Sequence, residues 1–300
     1  MRVVVSGASG FIGGHLVRAL AAADVEVVAL SRGRPVAGAA EWHAVDVNSP
    51  EARRLATRGE AIIHLAALSD ASLSRREPFS YGQVNVLGTA NLLEAARETG
   101  AFFVLASSQR VYQPGPRPLA EDAPLRPVDP YGYSKMLAEL WLRMYREVYG
   151  LAAVVLRFFS VYGPGQGLSS GTSGVVSIFL HRAMAGEELW VDGDRRADLT
   201  YVGDVVRGIT AALARRGRCR PVYNVATGIG TSMQELARLV LAITGSRSPF
   251  TVRPASAPGE GLVADITRAR EDFGYAPQVE LPEGLARTYD WLASRGTGAP

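Results

Sequence analysis

The stretch VVVSGASGFIGGHLVRAL, residues 3–20, constrains the fold more than any other part of the chain. An apolar, β-branched run reaches Ser6 and stops at Gly7. Gly10 and Gly13 follow at intervals of three, and apolar residues then recur at helical spacing. This is a strand that turns sharply into a helix. Glycines at these positions allow a tight turn, close approach of a pyrophosphate, and close packing of helix on strand. The helix N-terminus offers unpaired N–H groups to the anion. Three glycines directly after a strand and before an amphipathic helix mark a dinucleotide-binding turn. Gly7, Gly10, Phe11, Ile12 and Gly13 are its candidate contacts.

The rest of the first half repeats the alternation. Apolar runs at 2–6, 25–30, 61–67, 101–107 and 152–158 read as buried parallel strands, and 42–47 as a weaker sixth. Helical patterns lie near 11–22, 50–58, 81–99 and 131–149. The pattern predicts an α/β fold with a Rossmann-type doubly wound parallel sheet. After residue 160 the texture changes to a Gly/Ser loop at 163–174. Helices near 175–186, 203–215, 231–244 and 283–294 follow, with short strands between them. We expect a dinucleotide-binding domain over 1–165, also receiving parts of about 198–228, and a smaller mixed α/β substrate-binding domain over 166–300. The Pro-rich stretch 113–130 reads as a long irregular loop of the functional kind.

The second strand ends VVALSRG, with Ser31 and Arg32 where an acid would bond the ribose 2′-OH of NAD. An arginine there suits the 2′-phosphate of NADP. The cofactor is therefore NAD or NADP, with Arg32 favouring NADP. Asp46, beside Val47, is placed to reach the adenine amino group.

The chemistry lies in YGYSK, residues 131–135. Lys135 is the only lysine among 32 basic residues; the rest are arginines. Tyr131 is separated from it by about 40° around a helix, whereas Tyr133 is about 160° away. A tyrosine has a pKa near 10 and is a weak base at neutral pH. A nearby ammonium lowers that pKa, which makes the pair a general acid/base for interconverting C–OH and C=O. Arginine does not supply the same compact charge on a flexible stem. Ser107 and Ser108 stand at the C-terminal end of the 101–107 strand, where open α/β sheets place ligands.

Composition excludes several classes. The single cysteine, Cys219, rules out an intrachain disulfide and suits a reducing, cytoplasmic setting. No apolar run is long enough to span a membrane. Net charge is only +3, and the densest basic run, 214–220, has no interleaved aromatics, which argues against nucleic acid. The four histidines, at 15, 43, 64 and 181, lack metal-ligand spacing, so no metal is expected.

SGASGFIGGHL, IIHLAA, NVLGT, SSQRVY, PYGYSK, RFFSVYGPGQ, DLTYVGDVV and DITRAREDFGYAP together resemble the extended short-chain dehydrogenase/reductases, specifically the nucleotide-sugar epimerase/dehydratase group. The resemblance covers essentially the whole chain. It implies Tyr131 as acid/base, Lys135 as its partner, and Ser108 as the hydroxyl that positions the sugar. It places Leu65, Ala66, Ala67 and Asn85 along the cofactor. It implies C4 epimerisation of a UDP- or dTDP-sugar through a transient 4-keto intermediate, with NADPH-dependent reduction of a 4-keto sugar or related carbonyl as the alternative.

The departures from the family pattern are informative. The dehydratase branch carries Asp-Glu where this chain has Gln109 and Arg110, which disfavours dehydration. The Cys/His chemistry of 3,5-epimerisation is disfavoured because Cys219 lies far from the motifs. Ser160 replaces the usual Asn, and Ala197 the usual diphosphate Arg, with Arg195 and Arg196 just upstream. Arg253 is a further phosphate candidate, and Val175 and Val176 belong to the segment 173–179 that resembles the cover of the nucleotide base.

The 131–149 helix has a second apolar stripe: Leu137, Leu140, Trp141, Met144 and Val148. A helix apolar on two faces is buried on both. The resemblance suggests a homodimer, with this helix and the one at 81–99 forming a four-helix contact.

Overall fold

Val3, Val4 and Val5 are all fully buried, so the first strand is covered on both faces, as a central parallel strand must be. The computed structural model describes residues 1–115, 117–167, 174–193, 195–253 and 261–295. The first half runs β1 (Arg2–Ser6), α1 (Phe11–Ala22), β2 (Glu26–Ser31), β3 (Glu41–Ala44), α2 (Pro50–Ala56) and β4 (Ala61–His64). It continues through α3 (Ala71–Arg76), α4 (Pro78–Tyr81), α5 (Gly88–Thr99), β5 (Phe102–Ser108), α6 (Pro130–Tyr149) and β6 (Ala153–Phe158). The second half adds β7 (Val161–Tyr162), α7 (Val175–Ala185), β8 (Leu189–Asp192), β9 (Arg196–Asp198), β10 (Thr200–Tyr201), α8 (Val202–Ala214) and β11 (Val222–Val225). It ends with β12 (Gly230–Ser232), α9 (Met233–Thr244), β13 (Phe250–Arg253), α10 (Thr267–Phe273) and α11 (Leu281–Ala293).

Seven strands form one sheet in the order β11-β6-β5-β4-β1-β2-β3, and every pairing in it is parallel. Alternate residues feed two cores. Val3, Val5, Val27, Ile63 and Val104 face the layer of α1 and α8. Val4, Val28, Ile62, Phe103 and Leu105 face α2, α5 and α6. A third core joins α7, α9 and α11 through Phe179, Leu180, Leu236, Val240 and Leu285.

Four details differ from the sequence reading. The 61–67 run stops being a strand at His64, and Leu65–Ala67 peel off toward the sheet's ligand end. The single helix expected over 81–99 begins earlier, as α4, and passes through a π turn at Gly82–Leu87 before α5. Such turns carry no periodicity signal and often mark functional sites. The helix α3 was not expected; Asp70 caps it by accepting from the Ser72 and Leu73 N–H groups. The strand β11, only four residues long, is not named as a strand in advance, although it falls within the 198–228 stretch expected to join the first domain. Of the Gly/Ser loop, residues 168–173 lie outside the described residues.

The Pro-rich stretch is irregular but anchored. Single bridges join Tyr112 to Leu125, Gly115 to Gly261 and Leu119 to Ala264. It ends at Asp129, whose buried carboxylate caps α6 by accepting from the Gly132 N–H at 2.8 Å. Pro130 follows at the first helical position, where its fixed φ suits the turn.

Candidate active site

The glycine turn is built to closest approach. A Cβ on Gly13 would lie 2.2 Å from the Gly7 carbonyl oxygen, and one on Gly7 would lie 2.6 Å from the Ala66 nitrogen. Gly7 also has φ +72°, a left-handed conformation that glycine adopts at no cost. Gly10 is the N-cap of α1 and no side chain caps that helix, so its first N–H groups are open to an anion. These features fit a dinucleotide pyrophosphate: a wall with no side chains, and a bare helix start opening on a cleft.

Two adjoining cavities meet at this turn. The smaller, about 240 Å³, is lined by Ser31, Arg32, Val45, Val47 and Leu65–Ala67, and suits an adenosine. Asp46 is not among its walls. Its carboxylate accepts from the Asn48 N–H at 2.9 Å and lies 3.9 Å from the Arg32 guanidinium, so the valines flanking it form the wall instead. The larger cleft, about 720 Å³, runs from Gly7, Gly10, Phe11, Ile12 and Gly13 past Tyr131 and Lys135 to Val175, Val176 and Arg195.

Asn85 does not line either cavity. Its amide donates to Leu68 O and Ser134 Oγ and accepts from the Leu68 N–H, all within 2.9 Å. It clamps the loop after β4 to α6 and so shapes the cofactor wall from behind. Beside it, Thr89 donates to the Asn85 carbonyl, which leaves His64 Nε2 to donate to Thr89 Oγ1 and His64 Nδ1 to accept from Ser6. Burial holds the His64 pKa down at about 3, with Lys135 adding to the effect. The ring is a neutral strut.

In the reacting group, Ser108 is the buried last residue of β5; it does not line the cleft itself, and its hydroxyl stands beside the Tyr131 phenol. Lys135 is buried and donates from Nζ to the Ala106 carbonyl at 2.9 Å. Burial lowers its pKa to about 8, with Glu139 acting the other way. Burial raises the Tyr131 pKa, opposed by the Ser108 hydrogen bond and the Arg110 charge. This corrects the expectation of direct phenolate stabilisation by the lysine. Tyr131 answers to Ser108, and Lys135 answers to the backbone of β5.

The remaining expected contacts divide. Gln109 lines the cleft and donates to Ser160 Oγ at 3.0 Å. Arg110 lines it too, anchored on Asp129 at 3.2 Å. Arg195 reaches the cleft wall, whereas Arg196 turns away and donates to the Gly230 carbonyl. Arg253 is not a cleft residue; its guanidinium stacks 4.2 Å over the Trp190 ring. Ser107 lines the cleft, but its hydroxyl is committed to Glu139, a residue the sequence reading did not single out. Asp70 is the only carboxylate among the described cleft residues, and it is occupied in capping α3.

Fold and cleft together define a dinucleotide-dependent enzyme of the extended short-chain dehydrogenase/reductase class. The sequence profile of the NAD dependent epimerase/dehydratase family matches residues 3–226. The chain belongs to that family. It is 35% identical to a UDP-glucose 4-epimerase of Mycolicibacterium smegmatis over 98% of this chain and 99% of that one. It is 33% identical to a dTDP-4-dehydro-6-deoxy-D-allose reductase of Streptomyces bikiniensis over 97% and 95%. The crystal structure of the Thermus thermophilus UDP-glucose 4-epimerase in complex with NAD superposes with a TM-score of 0.85, at 31% identity, over 98% and 99% of the two chains.

Proposed function

We propose that the chain epimerises a nucleotide sugar at C4, using a dinucleotide held on the glycine turn. The carrying observation is the composition of the cleft. It brings one proton-transfer group, Tyr131, to the cofactor wall, with Ser108 behind the phenol, and its single described carboxylate is already a helix cap. Removal of water from a sugar needs a further acid/base, and the positions after Ser108 hold Gln109 and Arg110 instead. Oxidation and reduction of one carbon need only one proton site.

NAD, when bound, supplies reversible hydride acceptance and a positive charge beside the tyrosine. The residues of the chain do the rest. With that charge beside it Tyr131 ionises; as the phenolate it takes the proton from the sugar hydroxyl, and as the phenol it returns one to the oxygen after the sugar has turned over. Ser108 fixes the phenol and leaves its oxygen aimed into the cleft. Lys135, tied to Ala106, presents its remaining N–H groups toward the cofactor ribose. Arg110 and Arg195 supply cations for the diphosphate, and Val175 and Val176 an apolar cover for the base. Phosphate recognition by arginine is geometric as well as electrostatic.

We take NAD as the cofactor, in keeping with the family description and the Thermus relative. Arg32, at the rim of the adenosine cavity with its side chain 66% exposed, supports a second reading: an NADPH-dependent 4-ketosugar reductase. The Streptomyces relative supports the same alternative. We also propose a homodimer. Leu137, Leu140, Trp141 and Val148 are 38–65% exposed along α6, and Leu87 at the π turn is 56% exposed. Met144 departs from that stripe and packs into the chain's own core. The free Cys219 thiol, half-buried and with its pKa raised by burial, suits a reducing cytoplasm.

The test is to denature the purified protein and identify what it releases, then to assay Tyr131→Phe. Stoichiometric NAD and conversion of a UDP- or dTDP-hexose to its C4 epimer support the reading, with Tyr131→Phe inactive but still holding cofactor. A cofactor-free protein that oxidises NADPH with a 4-keto sugar overturns it, as does full turnover by Tyr131→Phe.

A further inference from the structure

Glu139 lies one turn beyond Lys135 on α6, and both are buried. Its Oε1 accepts from Ser107 Oγ at 2.5 Å and from Arg157 Nε at 3.0 Å; its Oε2 accepts from Arg157 Nη2 at 2.6 Å. Ser107 and Arg157 are register partners on β5 and β6. Two neighbouring strands therefore grip one carboxylate from below. The residue before Ser107 is Ala106, whose carbonyl holds Lys135. Helix and sheet are joined by two consecutive rungs, one at the lysine and one at the glutamate. Arg157 is fixed in turn by Tyr112 Oη at 2.6 Å and by the Glu121 carbonyl at 2.9 Å.

A buried ion pair is weak evidence for stability, because apolar residues of similar volume hold a helix at least as well. This one stands directly behind the only lysine in the chain. We propose that Glu139 is a positioning residue for Lys135: gripped by Ser107 and Arg157, it fixes the lysine's helix on the end of β5 and keeps a carboxylate one turn behind the ammonium. The inference rests on reading Lys135 as part of the cofactor and proton machinery.

The surrounding charges agree with it. Burial pulls the Lys135 pKa down to about 8, and Glu139 opposes the fall. His64 faces the lysine from β4 as a neutral ring. Tyr131, one turn back on the same helix, has its pKa raised by burial and is neutral. From the other side, Arg157 on β6 and Tyr112 after β5 face Glu139, with Glu121 contributing from the loop. Arg143 and Arg146, further along α6, line the cavity onto which Glu139 and Arg157 open, with Cys219 opposite. Without the carboxylate, burial acts unopposed, and the ammonium loses its proton at lower pH.

A single lysine makes the test direct. Protein carrying ε-¹³C lysine gives one side-chain signal, which can be titrated on the protein as purified. Glu139→Gln alone would strand the buried Arg157 cation, so neutral pairs are compared: Glu139→Gln/Arg157→Met, and Glu139→Gln/Arg157→Gln in case the first does not fold. Glu139→Asp keeps the charge. The wild-type midpoint is expected near 8; either neutral pair should lower it by about one pH unit, with Glu139→Asp staying near wild type. A folded neutral pair with an unmoved midpoint overturns the proposal. So does an equal shift in Glu139→Asp, since that would be a packing effect. The alkaline limb of kcat/KM should move with the lysine signal. If the signal moves and the limb does not, the role of Glu139 stands and the functional reading of Lys135 fails.

Discussion

Gly13 and Gly14 are neighbours in α1, and the structure assigns them opposite responses to the same substitution. A Cβ at Gly13 would lie 2.2 Å from the Gly7 carbonyl oxygen and 2.8 Å from that of Ala8. Both obstacles are backbone, so no side chain can swing aside. Relief requires α1 to withdraw from the turn by roughly 1 Å. Overpacking against a rigid wall costs about 3 kcal/mol, the upper end of the usual range. In a chain of this size that lowers Tm by roughly 5 °C. The withdrawal also moves the uncapped N–H groups of α1, and NAD should bind at least about tenfold more weakly, equivalent to about 1.4 kcal/mol. At Gly14 the nearest atom to a new Cβ is Arg18 Nη1, at 3.7 Å. Alanine there fits and should stabilise the helix by about 0.5–1 kcal/mol. Thermal melts of the two variants, with calorimetric titration of NAD into cofactor-stripped protein, decide the matter. If Gly13→Ala melts with Gly14→Ala and binds NAD as tightly, the close-approach account of the turn is wrong.

Two further outcomes are expected. His64 is buried and neutral with its pKa held down to about 3, while in the unfolded chain it protonates near 6.5. Its contribution is complete above pH 6.5 and declines by about 1.4 kcal/mol per unit as pH falls toward 3; melts from pH 7.5 to 5 should show a shallower fall in His64→Gln than in wild type, and equal slopes would refute the assignment. The exposed stripe on α6 should hold two chains together, so Leu137→Asp/Trp141→Asp should give a monomer by sedimentation with the fold intact; a wild-type protein that is already monomeric refutes the dimer.

How much was legible follows from which forces are local. The glycine turn, the Tyr131–Lys135 spacing and the alternating strands are written in adjacent residues, and the sheet and cleft lining agree with them. Apart from Asp46, the failures concern partners that are distant in sequence. The Asp46 carboxylate went to Asn48 and Arg32, which no strand-end rule anticipates. Asn85 is committed to Leu68 and Ser134, a contact created by the packing of α6. Glu139 carried no motif that the sequence reading weighed, and its importance appears only when Ser107 and Arg157 converge on it from two strands. The stacking of Arg253 on Trp190 depends on the pairing of β8 with β13, which four-residue strands cannot announce. The direction of the Tyr131 shift was also missed, because burial depth is a property of the folded whole.

The placement of β11 bears on how the chain is made. It is the outermost strand of the nucleotide-binding sheet, yet the chain reaches it only after α7, β8, β9, β10 and α8. Until then β6, whose six residues are all buried in the finished molecule, has one edge unpaired. Open strand edges invite pairing with other chains. During synthesis the sheet therefore stays unsealed until Val225 has emerged, although the residues of the glycine turn emerged first. A fragment cut near residue 165 would carry every cofactor-binding glycine and Lys135, and would still expose a bare β edge to its neighbours.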